Sequence, residues 1–364
     1  MKSDSVLVVA EQLRRRVPGG IGRAVRGLLQ GMKELDDHPA ITLLASRGPR
    51  GEDPLREYTL PLRTSVLPGP LLTRTWDHGL GTIGKGFSLV HATSLAAPPV
   101  KGMPLASTVY DLAFETYPEM ISSRAHRWHK DALSRALKNS DLLISASESV
   151  SQVLRERGAR RVITIGLGAD HLPSPDTEVA RVRLAQHGVV GPYLLTVSTL
   201  EPRKNLKRLI EAYEKARRHF TEPLPLVVVG PTGWGTHGTA THGVEGVIAL
   251  GALPDAPLAA LYKNAQAVAY VPLIEGYGLP PLEAMRAGAP VVASNSVPSV
   301  ADEKDAPALL VTPTDVEEIA QALVFASTHG QERDALIARG VAFSQRHTWS
   351  AYAKEVVAAW ETLL

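Results

Sequence analysis

Short, nearly unbroken apolar runs alternate along this chain with longer stretches in which apolar residues recur every three or four positions. The early runs are VLVVA from Val6, ITLLA from Ile41, SLVHA from Ser88, LASTVY from Leu105, LLISAS from Leu142 and VITIG from Val162. Between them, AVRGLLQGMKEL and SESVSQVLRERG carry a helical period. Strands without polar alternation are buried on both faces, which predicts a parallel sheet covered by helices. The pattern pauses at GADHLPSPDTE, rich in Pro and Asp, and resumes with YLLTVST from Tyr193, PLVVVG, GVIALG, AVAYVPL, PVVAS and ALLVT. The expectation is an α/β chain of two doubly wound, Rossmann-like domains. The N-terminal domain spans residues 1–170, a linker 171–190 and the C-terminal domain 191–345, with a last helix over 346–364. Ligands of such sheets bind beyond the carboxyl ends of the strands, so two facing domains predict a cleft between two sets of loops.

Length agrees with two domains, because single cores seldom exceed roughly 250–300 residues and this chain has 364. Hydrophobic residues at 44% and charged residues at 21% are ordinary for a globular protein. No apolar run has the length of a membrane span, no basic start leads into an apolar segment, and there is no cysteine. A cytoplasmic chain is expected. A net charge of +2 argues against a nucleic-acid partner, which calls for a concentrated basic face. Local basic character does occur, at Arg14-Arg15-Arg16 and on the helical stretch Ser122–Lys138 around Trp128. Such a patch could meet anionic headgroups, but it reads first as a solvated helix face.

Several glycine motifs are weak. VPGGIGRAVRGLL, Val17–Leu29, follows the first strand and opens a helix, where free N–H groups suit a phosphate or sugar oxygen; it is not the dinucleotide fingerprint. GLGTIGK, Gly79–Lys85, falls short of a P-loop because Gly86 stands where Ser or Thr is needed and a strand follows. GPTGWGTHG from Gly230 reads as a loop at the cleft. The pairs His126/His129 and His237/His242 lack partnering carboxylates, and no Asp-x-Asp is present, so no metal site is expected.

Two stretches carry more. In LEPRKNLKRLIEAY, Arg203 and Lys204 fall at a helix entrance, where cations are unfavourable unless an anion joins them. In AVAYVPLIEGYGLPPLEAM, Glu275 ends a strand, Gly276 and Gly278 bend the loop, Pro280 and Pro281 suit a helix start, and Glu283 is expected in the first turn. The helix explains Glu283 and leaves Glu275 unexplained.

With EPRKN upstream and GGIGR near the start, EGYGLPPLEAM resembles the retaining glycosyltransferases of family 4, which have the GT-B fold, and most of all their bacterial mannosyltransferase-like branch. The likeness extends through VYDLAFETYPE, ISASESVSQVL and PVVASNSVPSVA. It implies a hexosyltransferase of polysaccharide biosynthesis that works without metal or other cofactor. The donor it implies is a nucleotide-diphosphate sugar, GDP-mannose ahead of UDP-glucose. The acceptor it implies is a glycan, a lipid-linked glycan or a small molecule, bound by the N-terminal domain. By position, Arg203 and Lys204 neutralise the diphosphate, and Glu275 faces the sugar as a positioning and charge-stabilising group. Gly276, Tyr277, Gly278 and Leu279 line sugar and phosphate, Glu283 holds the ribose, and Gly20 approaches from the N-terminal domain. Gly251–Leu253 would wall the nucleobase. The last helix would return to the N-terminal domain, and peripheral contact with the inner membrane face is implied for members that use lipid-linked acceptors.

The chain departs from the family in three places. Tyr110-Asp111 stands where relatives carry His-Asp, on the acceptor and sugar side. Ser198 and Thr199 occupy the place of an arginine, leaving that charge to Arg203. The Pro-Glu-x-x-Gly pattern reads VPSVADEKDA. Two rival readings stay open. A sugar-nucleotide epimerase would need an acid/base set not found in the sequence, and a catalytically silent nucleotide-sugar binder would suit Tyr110. Oligomeric state is not legible.

Overall fold

A computed structural model describes residues 4–15, 17–220, 222, 224–231, 243–302 and 306–364. The fold divides into two compact units, Met1–Gly168 with Thr348–Leu364, and Ala169–His347.

The N-terminal unit is built on a parallel sheet of seven strands: β1 (Ser5–Val9), β2 (Ala40–Ala45), β3 (Leu62–Thr64), β4 (Leu89–Ala92), β5 (Leu105–Val109), β6 (Leu142–Ser145) and β7 (Val162–Thr164). Their order is β3-β2-β1-β4-β5-β6-β7. The strands β1, β4, β5 and β6 are buried almost throughout, as their apolar runs require. Helices α1 (Gly19–Met32), α2 (Gly69–Asp77), α3 (Ala113–Thr116), α4 (Ser123–Asn139) and α5 (Glu148–Glu156) connect them. The sequence pattern does not foretell β3, an edge strand of three residues whose Arg63 and Thr64 face solvent.

The C-terminal unit repeats the plan with six parallel strands: β8 (Leu194–Val197), β9 (Leu226–Val229), β10 (Val247–Gly251), β11 (Ala267–Tyr270), β12 (Val291–Ser294) and β13 (Leu309–Val311). The order is β10-β9-β8-β11-β12-β13. Its helices are α6 (Thr177–Gln186), α7 (Leu206–Ala216), α8 (Asp255–Asn264), α9 (Leu279–Arg286), α10 (Pro298–Ala301), α11 (Val316–Ser327) and α12 (Gln331–Ser344). The core joins the apolar face of α7 to the sheet and to α11: Leu209, Ile210 and Tyr213 pack with Leu194, Leu226, Val228, Ile319 and Leu323. Residues 171–190, read from sequence as a linker, contain α6, which packs on α8 within this unit. Asp176 caps it by accepting from Val179 N at 3.0 Å.

The chain ends in α13 (Trp349–Glu361), which belongs to the N-terminal unit and packs along α1. Trp349 lies so close to α1 that a β-carbon on Gly27 would stand 2.0 Å from its ring. Trp349 and Trp360 are fully buried, and Trp360 meets His91 edge to face at 5.5 Å.

In each sheet the order reverses beside the first strand of the unit: β1 pairs with both β2 and β4, and β8 pairs with both β9 and β11. The loops at the carboxyl ends of β8 and β11 therefore meet at a switch point, where doubly wound sheets hold ligands.

Candidate active site

Arg203 and Lys204 leave the carboxyl end of β8 on a single 3-10 turn, Pro202–Lys204, and Glu275 leaves the end of β11. The two cations thus lie just ahead of α7, not in its first turn. Asn205, left-handed at φ 60°, joins the turn to the helix. Its side-chain amide donates to Val271 O at 2.9 Å and Pro313 O at 2.6 Å, while Leu273 N donates to Arg203 O at 2.8 Å. These bonds clamp the β8 loop to the β11 loop and set the cations against the carboxylate.

Around Glu275 both carboxylate oxygens accept hydrogen bonds. Arg203 Nη1 lies 3.2 Å from Oε1, and Gly276 N donates to the same oxygen at 3.3 Å. On the other side, Oε2 receives the Tyr270 hydroxyl at 2.5 Å and the Lys204 ammonium, which also donates to Tyr270 at 2.8 Å. Arg203 Nε pairs with the buried Glu201 at 2.6 Å. Burial would raise the Glu275 carboxyl, but Lys204 and Arg203 outweigh it and hold the group down at about 2. Burial also lowers Lys204, against the pull of Glu275, and drives the Tyr270 hydroxyl well above its usual range. The centre is a fixed carboxylate gripped by two cations. Part of the negative charge that Arg203 and Lys204 call for is supplied within the protein, by Glu201 and Glu275.

The following loop is held as firmly. Gly276, Tyr277, Gly278 and Leu279 are all buried. Ser299 N donates to Tyr277 O at 2.9 Å and Ser299 Oγ to Gly278 O at 2.7 Å. The VPSV segment that departs from the family pattern is thus the clasp of this loop. Gly278 caps α9 at φ 100°, so no side chain covers the helix start, and Pro280 and Pro281 have no N–H to offer. Among the described residues no hydrogen bond engages the N–H groups of Gly278 and Leu279, which are the donors this helix start offers a ligand.

Glu283 is not in the first turn of α9, since the helix begins at Leu279 and places it fifth. Its burial rests on partners instead of the helix dipole: Tyr262 donates to Oε2 at 2.8 Å and His171 Nε2 lies 3.0 Å from Oε1. Tyr262, His171, Tyr270, Glu201 and Asn205 are participants that the sequence did not single out. Gly251–Leu253 lie at the end of β10, partly exposed. From residue 232, the GPTGWGTHG loop with His237 and His242 lies outside the described residues, as do Glu303, Lys304 and Asp305 of the VPSVADEKDA segment.

The remaining candidates belong to the N-terminal unit. Gly20 sits exposed in the first turn of α1, with open space where a β-carbon would stand. Tyr110 follows β5, and its hydroxyl is hydrogen-bonded to Tyr352 of α13. Burial raises the Tyr110 hydroxyl well above its usual range. Asp111 caps the next turn, accepting from Ala113 N at 3.2 Å. His129 packs against Phe114 at a tilt and meets Trp128 edge to face, and among the described residues no group of three His, Asp or Glu could hold a metal ion.

Comparison with known proteins decides the family. Residues 18–171 match the model for Glycosyltransferase Family 4, and residues 186–342 match that for Glycosyl transferases group 1. The O-antigen chain mannosyltransferase B of Escherichia coli is 30% identical over 71% of this chain and 70% of its own length. The chain belongs to the family 4 glycosyltransferases. The serotype-specific mannosyltransferase WbdA of Escherichia coli is 28% identical over 62% of this chain, and that match spans 29% of the longer relative. Among solved structures, HepE of Anabaena in complex with UDP and glucose superposes with a TM-score of 0.72 at 19% identity, covering 99% of this chain and 100% of that one. This identifies the GT-B fold. Among the described residues, no helix is long and apolar enough to cross a membrane.

Proposed function

We propose that this family 4 glycosyltransferase moves a mannosyl residue from GDP-mannose to a glycan or glycan-bearing acceptor, with retention at the anomeric carbon and without a metal ion. The observation that carries the reading is Glu275, kept anionic and hydrogen-bonded on both oxygens at the switch point of the C-terminal sheet. Such a carboxylate is a poor nucleophile and cannot act as a general acid at neutral pH. It is suited to orient sugar hydroxyls and to balance the positive charge that develops on the sugar ring. Retention then follows a front-face course: the bond from the anomeric carbon to the diphosphate oxygen breaks, the acceptor oxygen bonds from the same side, and its proton passes to the leaving phosphate. Charge on that phosphate falls to Arg203, Lys204 and the uncapped start of α9. Glu283, steadied by Tyr262 and His171, is assigned to the ribose hydroxyls.

Mannose is favoured because the relatives named above are mannosyltransferases. The test is the thermal stability of the purified chain with GDP, UDP, ADP and dTDP and their sugars, with and without EDTA, since a ligand of the folded state raises the melting temperature. A shift selective for GDP and GDP-mannose, indifferent to EDTA and lost in Arg203→Ala, is the expected result. A selective shift with UDP-glucose would replace the donor, and no shift with any nucleotide would remove the reading. The Tyr110–Tyr352 hydrogen bond favours a second reading, a silent binder; slow release of free sugar from the donor without acceptor would exclude it.

A further inference from the structure

The chain is almost neutral, yet one cleft of the N-terminal unit is strongly basic. It has a volume of about 1590 Å³ and opens at the carboxyl ends of β1 and β2, bounded by the starts of α2 and α4. Eight arginines line it against three carboxylates, a net of +5 where the whole chain carries +2. Two of the arginines are already engaged: Arg14 with the buried Asp53 and with Ser46 O, and Arg135 with Asp77. The other six, Arg15, Arg47, Arg50, Arg74, Arg124 and Arg127, are exposed, and among the described residues their guanidinium groups have no ion-pair or hydrogen-bond partner.

The floor beneath them is rigid. Glu11 is buried and accepts from Ser46 N at 2.7 Å, which fixes the loop carrying Arg47 and Arg50 to the end of β1. Gly69, at the start of α2, presses on the same carboxylate so closely that a β-carbon would stand 2.3 Å from Glu11 Oε1. Trp128 donates to Asp77 at 2.9 Å, tying α4 to α2 across the cleft wall. Crowded guanidinium groups repel one another, a cost that an arriving polyanion turns into attraction. Arginine forks grip phosphate oxygens two at a time.

We propose that this cleft holds a phosphoryl group of the acceptor, a phosphate or diphosphate ester, and that the six free arginines select acceptors which carry one. The proposal deepens the transferase reading and rests on it for the word acceptor; the anion site itself does not.

The experiment is hydrogen exchange of the full chain with inorganic pyrophosphate, compared with the triple variant Arg47→Gln/Arg50→Gln/Arg127→Gln. Pyrophosphate should protect peptides covering residues 46–50 and 122–129 in the wild-type chain and leave them unchanged in the variant. Protection confined to peptides around residues 201–205 and 274–283 would report the donor site alone and overturn the proposal. Vesicles of phosphatidylcholine with one-fifth phosphatidylglycerol form the second arm. Protection by vesicles without protection by pyrophosphate would overturn it in favour of a membrane face; protection by both would support it with a lipid as the source of the phosphoryl group. In turnover assays the variant should keep donor hydrolysis and lose transfer, by roughly tenfold for each arginine that grips the anion. Full transfer by the variant would also overturn the proposal. A wild-type chain that binds pyrophosphate here but neither hydrolyses nor transfers any sugar would sink the transferase reading and leave the anion site standing.

Discussion

The Tyr270 hydroxyl lies 2.5 Å from Glu275 Oε2 and takes the Lys204 ammonium at 2.8 Å, so a single phenol joins the last residue of β11 to both charges of the ion pair. Tyr270 is itself 3% exposed, packed in the sheet. The position of the carboxylate is therefore set by the core of the C-terminal unit, not by its own loop. A charge that must meet a developing positive centre gains from being held before the substrate arrives.

Tyr270→Phe removes that hydroxyl and little else. Donor affinity should stay within about twofold while turnover falls about tenfold, the effect of one lost hydrogen bond to a charged group. Steady-state kinetics beside calorimetric donor binding would check it. A fall in affinity with turnover intact would mean that Tyr270 serves binding, not charge placement.

Glu275→Gln keeps the shape and removes the charge. Turnover should drop by about 100- to 1000-fold, as when one electrostatic stabiliser is lost, with donor affinity changed far less. An unaltered turnover number would withdraw the role given to Glu275 here.

The same variant has a pH signature. The Glu275 carboxyl is held at about 2, below its ordinary 4.5, so its ionised form stabilises the fold. That contribution is fully present above about pH 4.5 and is lost as pH falls toward 2. The stability difference between wild type and Glu275→Gln should therefore be flat from neutrality to about pH 4.5 and shrink below it. Denaturant midpoints at pH 7, 5, 4 and 3 would show this; a difference that widened on acidification would contradict the ionised assignment.

Much of this fold was legible in the chain because parallel strands buried on both faces write themselves as apolar runs. VLVVA and AVAYVPL announce β1 and β11 without help from distant residues. The edge strand β3 and the helix α6 were not legible for the converse reason. Leu62–Thr64 is too short and polar, while α6 buries only Ala180 and Leu184 and leaves Val179 and Val182 in solvent, so its apolar period is blurred. At the site, Arg203, Lys204 and Glu275 stood out as charges at strand ends. Their restraints did not: Glu201, Asn205 and Tyr270 act through partners as many as 108 positions away. Glu283 shows the limit most clearly. Its local sequence suggested a helix dipole, and its actual support is Tyr262 from α8 and His171 from a stretch taken for a linker.

That support separates binding from turnover. Glu283→Gln keeps hydrogen bonding to Tyr262 but weakens the grip on ribose hydroxyls, so the donor dissociation constant should rise about tenfold with turnover at saturation little changed. Tyr262→Phe should lower thermal stability, by roughly 1–2 kcal/mol for a buried hydrogen bond, and weaken donor binding in parallel. Titration of GDP-mannose into each protein distinguishes these effects, and intact affinity in Glu283→Gln would reassign that carboxylate to bracing α8 against α9.

Gly278 offers a test of how far the loop geometry itself matters. It stands at φ 100°, where any side chain is strained, and a β-carbon there would meet Val297 Cγ1 at 2.4 Å. Two separable costs follow: backbone strain of about 1–3 kcal/mol, and a clash that Val297 can relieve by giving up its methyls. Gly278→Ala should lower both stability and turnover. Adding Val297→Ala should recover part of the stability, because the clash is gone, while alanine relaxes away from the left-handed dihedral, misdirects the N–H groups at the start of α9 and keeps turnover low. Thermal unfolding and kinetics of the two single variants and the double variant form a cycle that reads the terms apart. Full recovery of turnover in the double variant would show that space, and not the left-handed turn, is what this glycine provides.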